Sequence, residues 1–311
     1  MKDHHVQKKD QVHCRQHKTV GIWDVLRANT VIKRRIGMTE RNNYLGWEKP
    51  GKALITGASA GMGFCFAKQL AQKGFDLILV ARRRDRLQEI ADKLASDYSI
   101  QCEIISADLS DIDDIKKTAA LVQQIDNLDV LINNAGFATI GYFADVPIEK
   151  TMQMFHLHMA SCVLLTHAGL SGMLKRKRGA IINVSSVASF SLTPGNVMYD
   201  ATKAFLNTFS ENLLLEVKEA GIRIQALCPG FTRTEFHEVG DFENFDRSVV
   251  PDSLWMTPDE VVSLSLMALE KNRKVVFIPG WKNRLSTWII LHSSLVRLVL
   301  QKKVKERGRS K

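Results

Sequence analysis

From residue 52 onward, apolar positions fall into short unbroken runs separated by longer segments with helical spacing. The runs at 53–56, 77–80, 102–105, 130–132, 181–184, 222–227 and 275–278 predict seven strands. Apolar residues three and four apart predict helices over 62–73, 84–96, 112–124, 148–176 and 198–220. Strands that are apolar on both faces and alternate with helices predict a parallel sheet covered on both sides. Right-handed crossovers then give a doubly wound α/β fold in a single domain. No period of 20–50 residues appears, which excludes a solenoid.

The ends read differently. Residues 1–49 hold no sustained period, although Val20, Trp23, Leu26 and Ile32 give 20–36 some helical spacing. His4, His5, His13 and His17 are too loosely placed, in too polar a context, for a metal site. This stretch is expected to be a basic, partly disordered extension, followed by a catalytic domain over 50–281. In 282–311, Leu285, Trp288, Ile289, His292, Leu295, Val296 and Val299 share one helical face, opposite Ser286, Ser293, Arg297 and Gln301. That stretch is shorter than the roughly 20 apolar residues that span a bilayer. An amphipathic helix followed by a basic tail suits peripheral contact with an anionic membrane; docking on the body, or on another subunit of a homo-oligomer, is the other reading.

The charge of +10 sits at these ends: residues 1–49 carry +6, residues 302–311 carry +5, and the remainder carries −1. A basic body would suggest nucleic acid; a neutral body with solvated basic tails does not. Cys14, Cys65, Cys102, Cys162 and Cys228 are scattered, without Cys-x-x-Cys or metal-ligand spacing, so no metal is expected. With no apolar leader segment, they point to a reducing cytoplasm.

Two features carry chemistry. After the first strand comes Thr56-Gly57-Ala58-Ser59-Ala60-Gly61-Met62-Gly63. Glycines in a strand-to-helix turn let backbone amides approach a pyrophosphate at the helix N-terminus. Tyr199 and Lys203 stand four apart on a predicted helix, on one face, and Ser186 lies thirteen residues before the tyrosine at the end of the fifth strand. A fixed positive charge beside a phenol favours the phenolate and draws its pKa down from about 10. The carboxyl ends of strands are where open α/β sheets bind ligands.

Over residues 52–280 the chain resembles the short-chain dehydrogenase/reductase family. The resemblance rests on the 56–63 turn, on Asn133-Asn134-Ala135-Gly136, on Ser186 with Tyr199 and Lys203, and on Pro229-Gly230 with Thr232 and Thr234. It implies NAD(P)H-dependent carbonyl reduction or alcohol oxidation of a small molecule on a seven-stranded Rossmann sheet. By that likeness Ser186 holds the substrate oxygen, Tyr199 exchanges the proton, and Lys203 lowers the tyrosine pKa and binds the nicotinamide ribose. The glycine turn (Gly57, Ser59, Ala60, Gly61, Met62, Gly63), Asn134, Ala135 and Gly136, and Pro229, Gly230 and Thr232 fall to the cofactor. Asp108 matches an adenine-contacting aspartate; a helix cap before Ser110 is its other reading. The family usually has asparagine where His158 stands. A neutral imidazole can donate and accept in a proton relay, or the ring packs.

Cofactor choice turns on the second strand's end. An acid there binds the ribose 2′-hydroxyl of NAD, whereas arginine suits a 2′-phosphate. The chain reads Val80-Ala81-Arg82-Arg83-Arg84, with no acid before Asp85, so NADP(H) is favoured over NAD(H) through Arg82 and Arg83. Phe231, Phe236, Phe242, Phe245 and Trp255 fall in the loop expected to cover the substrate, which suggests a hydrophobic ketone or alcohol; the same aromatics can instead anchor the loop. A noncatalytic NADP-binding regulator on this fold is the alternative function. The intact Ser186, Tyr199 and Lys203 argue against it.

Overall fold

The structure, a computed structural model, describes residues 44–191, 194–237, 247, 250–272 and 274–293. The chain alternates β1 (Lys52–Thr56), α1 (Gly61–Ala71), β2 (Asp76–Ala81), α2 (Arg84–Tyr98), β3 (Cys102–Ser106), α3 (Ile112–Gln123) and β4 (Leu128–Asn133). There follow α4 (Ile148–Phe155), α5 (Ser161–Arg176), β5 (Gly179–Val184), α6 (Val197–Val217), β6 (Ile222–Leu227), α7 (Pro258–Glu270), β7 (Val276–Phe277) and α8 (Trp281–His292). The seven strands form one sheet in the order β3-β2-β1-β4-β5-β6-β7, parallel throughout. The doubly wound sheet expected from the apolar runs is therefore present.

Alternate strand residues feed two cores. Ile55 and Ile132 pack on one face with Phe66, Leu70 and Phe75, while Leu54 and Leu131 pack on the other with Leu165, Met173 and Ile181. Each fully buried side chain of this size stabilises the fold by about 1.5–3 kcal/mol. Local signals set the helix starts. Asp111 accepts from the amides of Asp113 and Asp114 to cap α3, and Thr257 and Glu260 cap each other's backbone ahead of Pro258 in α7.

The structure departs from the sequence reading in four places. The helix expected over 148–176 is interrupted by a π segment at His156–Ala160. β7 is only two residues long and pairs with β6 through Val276 and Phe277. Tyr44, Leu45 and Trp47, expected in the N-terminal extension, pack into the first core, and the Tyr44 hydroxyl donates to the Leu266 carbonyl at 3.0 Å. The apolar face of α8 is also turned outward. Asn283 and Thr287 are buried, while Leu285, Trp288 and Ile289 are exposed. Leu295, Val296 and Val299 lie outside the described residues.

Candidate active site

Every sequence-selected site residue except His158 lies at, or just beyond, the carboxyl end of a strand or on the first turns of the helix that follows. At β1 the chain turns sharply: Gly57 and Gly61 have φ of 66° and 53°, the left-handed region that favours glycine. A side chain at Gly63 would begin 2.1 Å from the Gly57 carbonyl oxygen. Ala60 precedes α1 and offers its helix N-terminus no side-chain cap, so the first amides are free to face an anion. Asn134 braces this turn. Its amide nitrogen Nδ2 donates to Thr56 O at 2.9 Å, while Thr56 Oγ1 accepts from the backbone of Asn134 and Ala135.

At the end of β2 the two arginines part. Arg83 donates to Ser59 Oγ in the glycine turn at 3.1 Å. Arg82 turns toward Asp108, 3.8 Å away. The Asp108 carboxylate also accepts from the amide and hydroxyl of Ser110; the cap of α3 is Asp111, so Asp108 is not itself the cap. Arg86, on the first turn of α2, was not singled out in the sequence. It donates to Glu235 at 2.6 Å.

Ser186 follows β5 and opens a short 3-10 turn over Val187–Phe190, its hydroxyl accepting from the Ala188 amide at 3.1 Å. The same hydroxyl favours the ionised form of Tyr199, on the first turn of α6. Burial pushes the Tyr199 phenol up to about 12, and the Ser186 hydroxyl works against that rise. Lys203 is buried, and its ammonium donates to Val184 O at 2.9 Å. It lies 5.6 Å from the centre of the Tyr199 ring. Burial lowers Lys203 to about 8. The phenol's rise thus comes from burial, and the lysine's charge is held by a strand-end carbonyl rather than by the phenolic oxygen.

His158 enters this cluster because the π segment, with its widened turn, places it there. The ring is buried and its two nitrogens are engaged. Thr202 gives its one hydroxyl hydrogen to Tyr199 O at 3.0 Å, so His158 Nδ1 donates to Thr202 Oγ1 at 2.9 Å. Nε2 accepts from the Phe137 amide at 3.3 Å. The network assigns a neutral Nδ1–H imidazole. Burial first, and the Lys203 charge second, hold its pKa well below the ordinary range. His158, Lys203 and Asn133 line a small cavity, and Asn133 Oδ1 is buried without a partner among the described residues.

Pro229 and Gly230 follow β6. Gly230 is backed by α8: a side chain there would begin 2.6 Å from Asn283 Oδ1. Asn283 is a supporting residue that sequence reading missed, since it lies fifty-three positions away on a helix read as peripheral. Thr232 is buried and donates to Gly230 O. In the following loop Phe231 pairs with Trp255, which is anchored to Val250 O, whereas Phe236 leans on Tyr199 with ring centres 6.2 Å apart. Phe242 and Phe245 lie outside the described residues. The four described cysteines are free thiols, and among the described residues no cluster suits a metal ion.

A family profile for short chain dehydrogenase matches residues 51–241, more than half of the chain. The chain belongs to that family. The very-long-chain 3-oxoacyl-CoA reductase of Anas platyrhynchos is 33% identical over 199 residues, 63% of this chain and 64% of that protein. The inactive hydroxysteroid dehydrogenase-like protein 1 of Homo sapiens is 31% identical over 201 residues, 64% of this chain and 61% of that protein. The matches thus span less than two thirds of these two relatives. A solved short-chain dehydrogenase from Sphingobium yanoikuyae, in complex with NADPH, shares 31% identity at a TM-score of 0.69, over 84% of this chain and 95% of its own.

Proposed function

We propose that the chain is an NADP(H)-dependent oxidoreductase that reduces a carbonyl or oxidises a secondary alcohol on a hydrophobic small molecule. The observation that carries this reading is the convergence of Ser186 at the end of β5 with Tyr199 and, one helical turn further on, Lys203 on α6. The glycine turn with its uncapped helix start fits a dinucleotide, and Asn134, Ala135, Gly136, Pro229, Gly230 and Thr232 line the adjoining strand ends. The bound cofactor supplies or accepts a hydride. Ser186 orients the substrate oxygen, and Tyr199 gives it a proton in reduction or takes one in oxidation. A phenol near 12 is protonated at neutral pH, which suits the donor role. Lys203 supplies the positive charge that limits the cost of removing that proton. His158 is a positioning residue, holding the first turn of α6 through Thr202 and lining the cavity beside Lys203.

Arg83, bonded to the glycine turn, supports a 2′-phosphate site and hence NADP(H) over NAD(H). The NADPH complex of the Sphingobium relative points the same way. Phe236 beside Tyr199 supports an apolar substrate, and the duck relative's name suggests a long acyl chain. The human relative named as inactive favours the noncatalytic alternative; the complete Ser186, Tyr199 and Lys203 set stands against it.

Two further readings concern partners. The outward apolar face of α8, with the basic 302–311 stretch in the sequence, supports peripheral contact of a cytoplasmic protein with an anionic membrane. Helix-borne Met152, Phe155 and Val163, all exposed, support homo-oligomer formation, which light scattering tests. Following NADPH absorbance over a panel of carbonyl substrates tests the activity. Oxidation of one NADPH per ketone reduced is expected on at least one apolar ketone, and no turnover on any substrate counts against it.

A further inference from the structure

Three consecutive residues in the loop after β6 each touch a different part of the proposed site. Thr234 lies over Gly61: a side chain at that glycine would begin 3.2 Å from Thr234 Cβ and Cγ2. Phe236 leans on Tyr199. Between them, Glu235 engages the arginines at the start of α2. Its carboxylate accepts from Arg86 Nη2 at 2.6 Å and from Arg86 Nη1 at 3.4 Å, and lies 3.5 Å from Arg83 Nη2. That same Arg83 nitrogen donates to Ser59 Oγ. A carboxylate forked by one guanidinium and shared with a second is the arrangement a phosphate also adopts.

We propose that Glu235 is an internal competitor for the cofactor's 2′-phosphate, and that its displacement from Arg83 and Arg86 releases the 234–236 segment from the glycine turn and from Tyr199. The proposal rests on the NADP(H) reading. A phosphate carries more charge and more acceptor oxygens than the carboxylate and takes over the guanidinium groups. A dinucleotide without that phosphate leaves Glu235 in place. The residue therefore does two things: it weakens binding of the phosphorylated cofactor, and it makes opening of the substrate side depend on the phosphate. All three side chains are 40–53% exposed, so solvent screens the pairs and the competition is mild, about two- to fivefold in affinity.

The test uses the full chain and calorimetric titration with 2′,5′-ADP and 5′-ADP. Glu235→Gln keeps the shape and removes the charge. It is expected to bind 2′,5′-ADP about two- to fivefold more tightly than wild type, with 5′-ADP unchanged. Trypsin cleavage after Arg233, which is itself 45% exposed, reads the segment directly. In wild type, 2′,5′-ADP speeds that cut and 5′-ADP does not; in Glu235→Gln the cut is fast without ligand. If wild type prefers 2′,5′-ADP but Glu235→Gln binds it no more tightly, the competition is overturned and the cofactor reading stands. If neither protein prefers 2′,5′-ADP, the cofactor reading falls and the competition with it. Cleavage unaffected by 2′,5′-ADP overturns the release of the segment.

Discussion

The Lys203 ammonium donates to the carbonyl oxygen of Val184 at 2.9 Å, so a buried positive charge is tied to the last residue of β5. Its pKa is lowered to about 8, first by burial. The unfolded chain then holds more protons than the folded one between pH 8 and the ordinary lysine value of 10.5, and folding stability rises with pH in that window. Tyr199 has the opposite sign, but only above pH 10. Denaturant unfolding of wild type and Lys203→Met from pH 8 to 10 isolates the lysine. Wild type is expected to gain on the order of 2 kcal/mol relative to the variant. Parallel curves would contradict the buried charge.

The divergent arginines give a sharper cofactor prediction. Wild type is expected to bind NADPH at least about tenfold more tightly than NADH, ~1.4 kcal/mol. Arg82→Ala with Arg83→Ala should remove most of that gap. Of the single variants, Arg83→Ala should account for the greater part, because Arg83 contacts Ser59 while Arg82 faces Asp108. Fluorescence titrations giving equal wild-type affinities for the two cofactors would sink the assignment.

His158 is held neutral by burial and by the Lys203 charge. Unfolding therefore takes up a proton below the ordinary histidine value of about 6.5, and this site costs stability as pH falls through that range. His158→Asn and His158→Leu should both lack that acid-side loss. Asparagine can donate and accept, so turnover should fall modestly, within about tenfold; leucine can do neither and should lose far more while NADPH affinity survives. Similar near-normal rates in both variants would reduce His158 to packing.

The outward face of α8 makes a separate prediction. Full-length protein should co-sediment with vesicles containing phosphatidylserine and much less with phosphatidylcholine alone. Leu285→Ser with Trp288→Ser should abolish binding without lowering the melting temperature, since both side chains are exposed. Equal sedimentation of wild type and the double variant would remove this face from any membrane role.

Most of the sheet was legible because continuous apolar runs admit few alternatives once helices alternate with them: β6 matches its expected bounds, Ile222–Leu227. The strand-end motifs were legible because their glycines and spacing are dictated by the turn itself. What escaped has physical causes. Apolar period runs unbroken through His156–Ala160, so the widened π turn leaves no mark in the sequence. Periodicity shows which face of α8 is apolar, not which face is buried, and Asn283 beside Gly230 decided the latter. No local spacing links Arg86 to Glu235; only the fold brings them together across 149 positions.

Turnover of Tyr199→Phe, measured beside its NADPH affinity, tests the central claim most directly. The variant removes one hydroxyl, the group proposed to exchange the proton. The account predicts that cofactor affinity stays within error of wild type while turnover on any accepted carbonyl falls by about 10²–10⁴-fold. Near-normal turnover in this variant would mean that the proton comes from another group and that the site works otherwise than proposed.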